Sequence, residues 1–162
     1  MPRKAFRVEE VNAMVPELEA LLGEVERRRR QVQEHHEKVQ ILDALWGKKL
    51  LESRNPDRAE FLMHRQVIEQ AVREMQRIMT EDIAGRGIRL PQGGIESGLL
   101  DFPTTLDGRW VYLCWHRGEP QVNAWHEVHA GFAGRQPLTD EQRWKMGRGD
   151  ASSLPDDSLL DF

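Results

Sequence analysis

The residues of this chain whose types could do chemistry crowd into the stretch from Leu99 to Arg135. It holds three of the five Trp, the only Cys, the only Tyr and three of the six His, set among Gly and Pro that mark turns. Its polar members include Asp101, Cys114, His116, Glu119, His126, Glu127, His129 and Arg135. Imidazoles, carboxylates and thiolates are the ligand types for zinc and related divalent metals. His126-Glu127-x-His129 sets two imidazoles three residues apart, a usable ligand spacing where a chain turns helically. It is not the H-E-x-x-H signature of zinc proteases, which needs two His four apart on a helix. The metal-ligand candidates are His126, Glu127, Asp101, Glu119 and His129, with a divalent metal such as zinc as the cofactor. Asp101, Glu119 and Arg135 are candidates for holding a small ligand, with Arg135 as an anion site. The plainer reading is that these groups satisfy one another at a sheet edge: His126 donates to a carboxylate or carbonyl, and Arg135 pairs with Asp101 or Glu127.

Cys114 reads as a packed strand residue rather than a nucleophile, because Trp115 stands beside it and no helix N-terminus is predicted there to lower its pKa. Gly131-Phe132-Ala133-Gly134-Arg135 lacks the strand-loop-helix context and the Lys of a phosphate-binding loop. Its glycines imply a tight path that inserts Phe132 into the core.

These side chains need strands to hold them. Asp107-Gly108 is a hairpin turn, Leu99 to Phe102 precedes it as a strand ended by Pro103, and Arg109 to Trp115 follows as the strongest strand pattern in the chain. Ile88 to Leu90 adds a short strand. A two-residue turn at Arg117-Gly118 would set Leu113 opposite Val122, Val111 opposite Ala124 and Arg109 opposite His126. Trp110 and Trp125 would then pair on the other face, with Tyr112 and Cys114. Thr139 to Gln142 is a capping box that opens a short helix to about Met146.

Upstream the pattern is helical. Phe6 to Met14 predicts a lead-in helix, and Pro16 suits the first turn of a new one that runs to about Leu51. Its seam of Leu18, Leu22, Val25, Val32, Val39, Trp46 and Leu50 follows heptad spacing, interrupted by Arg29, His36 and Asp43. After a turn at Ser53 to Asn55, with Asn55 as N-cap and Pro56 at the first helical position, a second helix runs to about Ala84. Its seam is Phe61, Ile68, Val72, Met75 and Met79, with Ile78 and Ile83 beside it and Arg65 as the polar interruption. So short a connection implies an antiparallel hairpin that brings Asp43 near His64 and Arg65. A sheet of this size cannot cover helices so long, so a homodimer through the hairpin is expected. The basic run Arg27 to Arg30 reads as a solvated face, with Glu24–Arg28 and Glu26–Arg30 as i,i+4 pairs.

Composition bounds the rest. The 162 residues are 39% hydrophobic and 31% charged, with a mean hydropathy of -0.65, and no apolar run reaches the roughly 20 residues of a membrane span. Glu9 and Glu10 stand where a signal peptide would place its apolar core. With a single Cys excluding an internal disulfide, the cytoplasm is the expected compartment. The net charge of -4 sits in the tail. Asp150, Asp156, Asp157 and Asp161 occur there without Lys or Arg, and the remaining acidic residues match the 23 Lys and Arg in number. A balanced body argues against general nucleic-acid binding, which draws on a basic surface.

Several motifs together resemble a family of small bacterial proteins catalogued only as a domain of unknown function. They are F-R-V-E-E-V-N-A-M-V-P at 6 to 16, G-L-L-D-F-P at 98 to 103, L-C-W-x-x-G-E-P at 113 to 120, W-H-E at 125 to 127 and G-F-A-G-R at 131 to 135. The resemblance runs from Phe6 to about Leu138. It implies a bacterial cytosolic protein whose signature is the aromatic and acidic cluster, and it carries no established activity.

The expected architecture is α+β: a long antiparallel helical hairpin (about 16–84), a small antiparallel sheet (about 88–135) and a short C-terminal helix (about 140–146). These form one domain over 1–149, followed by an acidic tail at 150–162. The expected function is a non-enzymatic interaction or oligomerisation module that binds a second copy or a protein partner. The alternative is a metal- or small-ligand-binding protein, in one version a hydrolase, that uses the Asp/Glu/His cluster.

Overall fold

The computed structural model describes residues 3–149 and 154–160. Helix α1 (Val8–Trp46) is followed by a 3-10 turn (Gly47–Leu51) and by α2 (Arg58–Arg77), which continues through a π-helical turn (Ile78–Ile83). A short helix α3 (Gly94–Ser97) leads into β1 (Leu99–Leu106), β2 (Arg109–His116), β3 (Ala124–Glu127), β4 (Gln136–Pro137) and the final helix α4 (Asp140–Lys145). The protein is α+β, with its strands in one antiparallel sheet of order β1-β2-β3-β4. No helix among the described residues is long and apolar enough to cross a membrane. Asp150, Asp161 and Phe162 of the expected acidic tail lie outside the described residues. Contacts group the chain into two compact units, Met1–Leu22 with Thr80–Phe162, and Gly23–Met79.

In the first unit, Pro16 lies inside α1 rather than opening a new helix. Val8, Val11, Val15, Leu18 and Leu22 are all buried at three- and four-residue spacing. That continuous apolar stripe holds the helix together across a residue that costs it a backbone hydrogen bond. Ahead of it, the Phe6 N–H donates to the Pro103 carbonyl (2.8 Å), the Phe6 carbonyl accepts from the Thr104 hydroxyl (2.6 Å), and the Phe6 and Phe102 rings meet edge to face at 5.4 Å. Asp107 (φ 51°) and Gly108 (φ 78°) supply the two positive φ angles of the β1–β2 turn. The capping box at Thr139 and Gln142 forms as expected and opens α4. Ile88 to Leu90 contributes only a single bridge, Arg89 to Asp101, rather than a strand.

The β2–β3 register differs from the expected one. The connection runs over residues 117–123 instead of turning tightly at Arg117-Gly118, and the pairs are Val111 with Glu127, Tyr112 with His126, Leu113 with Trp125 and Cys114 with Ala124. The loop is held open by hydrogen bonds. The Glu119 side chain accepts from the His116 N–H (2.7 Å), the Glu119 carbonyl accepts from the Trp115 indole (2.8 Å), and Asn12 of α1 accepts from the Val122 N–H (2.8 Å). A slip by an odd number of residues exchanges the faces of a strand. His126 therefore joins Tyr112 and Cys114, while Trp125 turns to the opposite face and does not pair with Trp110. The C-terminal segment covers the Trp110 side: Leu160 is buried against Trp110 and Tyr112 with Leu154 beside it, and the Trp110 indole donates to the Pro155 carbonyl (2.9 Å).

In the second unit, α2 returns alongside α1. The Trp46 indole donates to Asp57 (2.7 Å) and a His35 to His64 bond (2.8 Å) spans the two helices. Asn55 does not cap α2. Its side chain accepts from the Asp57 N–H (2.8 Å) and donates to the Lys49 carbonyl (3.0 Å), an Asx turn that shapes the connection instead. The pairs Glu24–Arg28 (2.8 Å) and Glu26–Arg30 (3.3 Å) are formed. The expected seam is buried in part: Val25 and Leu50 are in the core, as is Ile78, expected beside the α2 seam. Elsewhere the buried positions shift by three residues, to His64 and Ala71 on α2 and Leu42 on α1, while the expected Phe61, Ile68, Met75 and Val39 stay half-buried with Val32 and Trp46.

Candidate functional site

Two strand pairings assemble the site. β1 sets Asp101 opposite Cys114, and β2 sets Cys114 opposite Ala124 and Tyr112 opposite His126. Opposed residues in an antiparallel pair share a face, as do residues two apart on one strand, so Asp101, Cys114, Tyr112 and His126 lie on one side of the sheet. Asp101, Cys114 and His126 are each 1% exposed and Tyr112 is fully buried.

Arg89, carried beside β1 by its bridge to Asp101, donates from Nη1 to Asp101 Oδ2 (2.9 Å), with its guanidinium 5.0 Å from the Tyr112 ring centre. His126 Nε2 lies 3.2 Å from the same oxygen. Its Nδ1 is 2.8 Å from the Glu127 carbonyl oxygen, which can only accept, so Nδ1 carries a proton. Asp101 Oδ1 is buried with no hydrogen-bond partner among the described residues. Burial alone would push the His126 imidazole below its usual pKa, but the Asp101 bond and the Glu127 carbonyl outweigh it and hold the imidazole above that value. Burial, reinforced by the Asp101 charge, pushes the Cys114 thiol up to about 12. The thiol is thus protonated at neutral pH. Both His126 nitrogens are already engaged, by Asp101 and Glu127, so this is not the geometry of an activated nucleophile.

The structure separates the candidate residues read from the sequence. Asp101 and His126 come together. Glu119 instead pairs with Arg135, whose guanidinium also donates to the Cys114 carbonyl (3.1 Å), so Arg135 meets neither Asp101 nor Glu127. Glu127 points away from the cluster and binds Arg109, which holds its carboxyl below the usual range. His129 is exposed. Phe132 is 56% exposed rather than inserted in the core. The further member of the cluster is Cys114, which the sequence offers as a polar candidate but reads as a packed strand residue. Its alternation with Tyr112 on β2 was visible, but its company with His126 depends on the longer loop.

The hairpin unit offers a second kind of site. Its open groove is lined by His36, Val39, Gln40 and Asp43 from α1 and by Phe61, Arg65, Ile68 and Glu69 from α2. Asp43 and Arg65 share this groove as the heptad spacing implied, while His64 turns inward to His35. Its lining combines apolar Val39, Phe61 and Ile68 with charges of both signs, Asp43, Glu69 and Arg65.

The model of a family described as an uncharacterised conserved protein, DUF2203, matches residues 4–138. The chain belongs to this family. The match contains both sites, the sheet cluster and the hairpin groove, and ends before α4. No curated protein and no solved structure matches the chain.

Proposed function

We propose that this DUF2203 protein is a non-enzymatic oligomerisation module whose helical hairpin pairs with a second copy of itself. The observation that supports this reading most is the doubled apolar stripe of the hairpin. One stripe, with Leu42, Ala71 and Ile78, is buried within the unit, while the neighbouring heptad positions Val39, Phe61 and Ile68 are only half-buried and line the groove. A solvated helix face has no need of heptad-spaced apolar residues, whereas a helix that packs on two sides does. A second copy suits the groove chemistry. Asp43 and Arg65 are of opposite sign, and Glu69 and His36 sit beside them. A two-fold interface sets each patch against itself, so an acid on one helix and a base on the other can pair reciprocally. A nucleic acid or a strongly charged peptide would call for one dominant sign. The buried lone Cys114 suits a reducing compartment such as the cytoplasm.

Sedimentation equilibrium of the full chain tests this reading. The wild type is expected to be a dimer at micromolar concentration. Ile68→Glu places a charge in the groove lining and is expected to give monomers with unchanged helix content by circular dichroism. A wild-type protein that stays monomeric through the high micromolar range overturns the proposal, as does a folded Ile68→Glu variant that remains dimeric with unchanged affinity.

A further inference from the structure

We propose that Asp101, Cys114 and His126 form a binding site for one divalent transition-metal ion of the zinc type. Each residue offers one ligand atom, a carboxylate oxygen, the thiol sulfur and an imidazole nitrogen, and these atoms lie within 4.8 Å of one another in a buried setting. The surroundings are arranged as metal sites arrange them. The His126 Nδ1–H donates to the Glu127 carbonyl, the outer contact that fixes a ligating imidazole, and an ion would take Nε2 from its contact with Asp101 Oδ2. Arg89 holds Asp101 through Oδ2, while Oδ1, buried and without a hydrogen-bond partner among the described residues, is the oxygen left for an ion.

The ion pair alone does not satisfy Oδ1, and the neighbouring Cys114 thiol, which interacts with the same carboxylate, is only a weak donor. Leaving a carboxylate oxygen buried and unsatisfied costs free energy, and both Arg89 and His126 approach the other oxygen. A cation at Oδ1 relieves that cost. The donor set selects the ion. One thiolate and one imidazole disfavour calcium and magnesium, which take oxygen ligands, and suit zinc or cobalt. On binding, the Cys114 thiol loses its proton to solvent and ligates as thiolate, and the His126 Nε2 proton held toward Asp101 leaves to solvent as well, so that the neutral imidazole ligates. The site is independent of the hairpin groove, so either proposal can fail alone.

Cobalt(II) added to chelator-stripped, untagged protein at neutral pH tests the site. Cys114 is the only cysteine, so a thiolate-to-cobalt charge-transfer band can come only from it. The expected result is that the band rises to saturation with one equivalent, is displaced by zinc and is absent in Cys114→Ser. His126→Gln is expected to weaken cobalt binding by at least about 10-fold. Zinc is expected to raise the Tm of the wild type but not of Cys114→Ser, a readout that does not depend on a more disruptive variant. A folded wild type that shows no band, undiminished affinity in His126→Gln, or equal Tm shifts in wild type and Cys114→Ser each overturns the proposal.

Discussion

Asp101 is the residue on which the buried polar face depends. It faces Arg89 and His126 through one oxygen, and the Arg89 side chain is only 17% exposed. Removing one partner of a buried charge pair leaves the other uncompensated. Asp101→Asn in metal-free protein is therefore expected to lower stability by about 3 kcal/mol, read as a shift in the urea midpoint; a midpoint equal to that of the wild type contradicts the ion-pair assignment. Cys114 gives a second check. A thiol that is 1% exposed and protonated at neutral pH reacts through its thiolate only when the sheet opens. Alkylation of the native protein is expected to be far slower than that of urea-unfolded protein, whereas equal rates would place the thiol at the surface. Asp101 and His126 were legible in the sequence as residue types that belong in sites. That Cys114 joins them was not, because its face relative to His126 depends on whether the loop after β2 is even or odd in its offset. That offset is set by contacts from Glu119 and from distant Asn12, which a local turn rule cannot see.

At the scale of elements, the hairpin of α1 and α2 carries a titratable contact. His35 and His64 meet Nδ1 to Nδ1, a bond that requires at least one neutral ring, since one nitrogen must accept. Partial burial, together with the charges of His64 and Lys38, holds the His35 imidazole below its usual 6.5, with Glu34 opposing; Glu60 approaches His64 from the α2 side (3.3 Å). The unfolded chain thus takes up the His35 proton at higher pH than the folded hairpin does. The stabilising contribution is complete above about 6.5 and is lost as pH falls below it, levelling off below the folded value. The urea midpoint of the wild type is expected to fall more between about pH 7.5 and 5.5 than that of His35→Gln. Parallel pH profiles would remove this contact from the account. Heptad spacing revealed that there were two long helices and where they turned. It did not tell which of two adjacent stripes is interior, because Phe61 and Ile68 are more hydrophobic than His64 and Ala71. His64 is buried where its ring bonds His35 across the hairpin, a partner that hydrophobicity alone does not reveal.

For the whole molecule, the α+β class, the hairpin, the sheet and α4 all followed from periodicity and from turn and cap residues. The docking of the C-terminal segment through Leu160 and Pro155 on Trp110 did not, since acidic composition alone leaves such a segment either solvated or bound. What covers the groove of Val39, Phe61 and Ile68 decides whether the hairpin pairs with a second copy. The most direct measurement places a spin label at Gln40→Cys on the groove rim, with Cys114 buried and unreactive, and reads dipolar coupling between labels on separate chains. A dimer paired through the groove gives strong modulation with one narrow distance distribution, and Ile68→Glu abolishes it. A flat background from the folded, labelled wild type at high micromolar concentration would contradict the account.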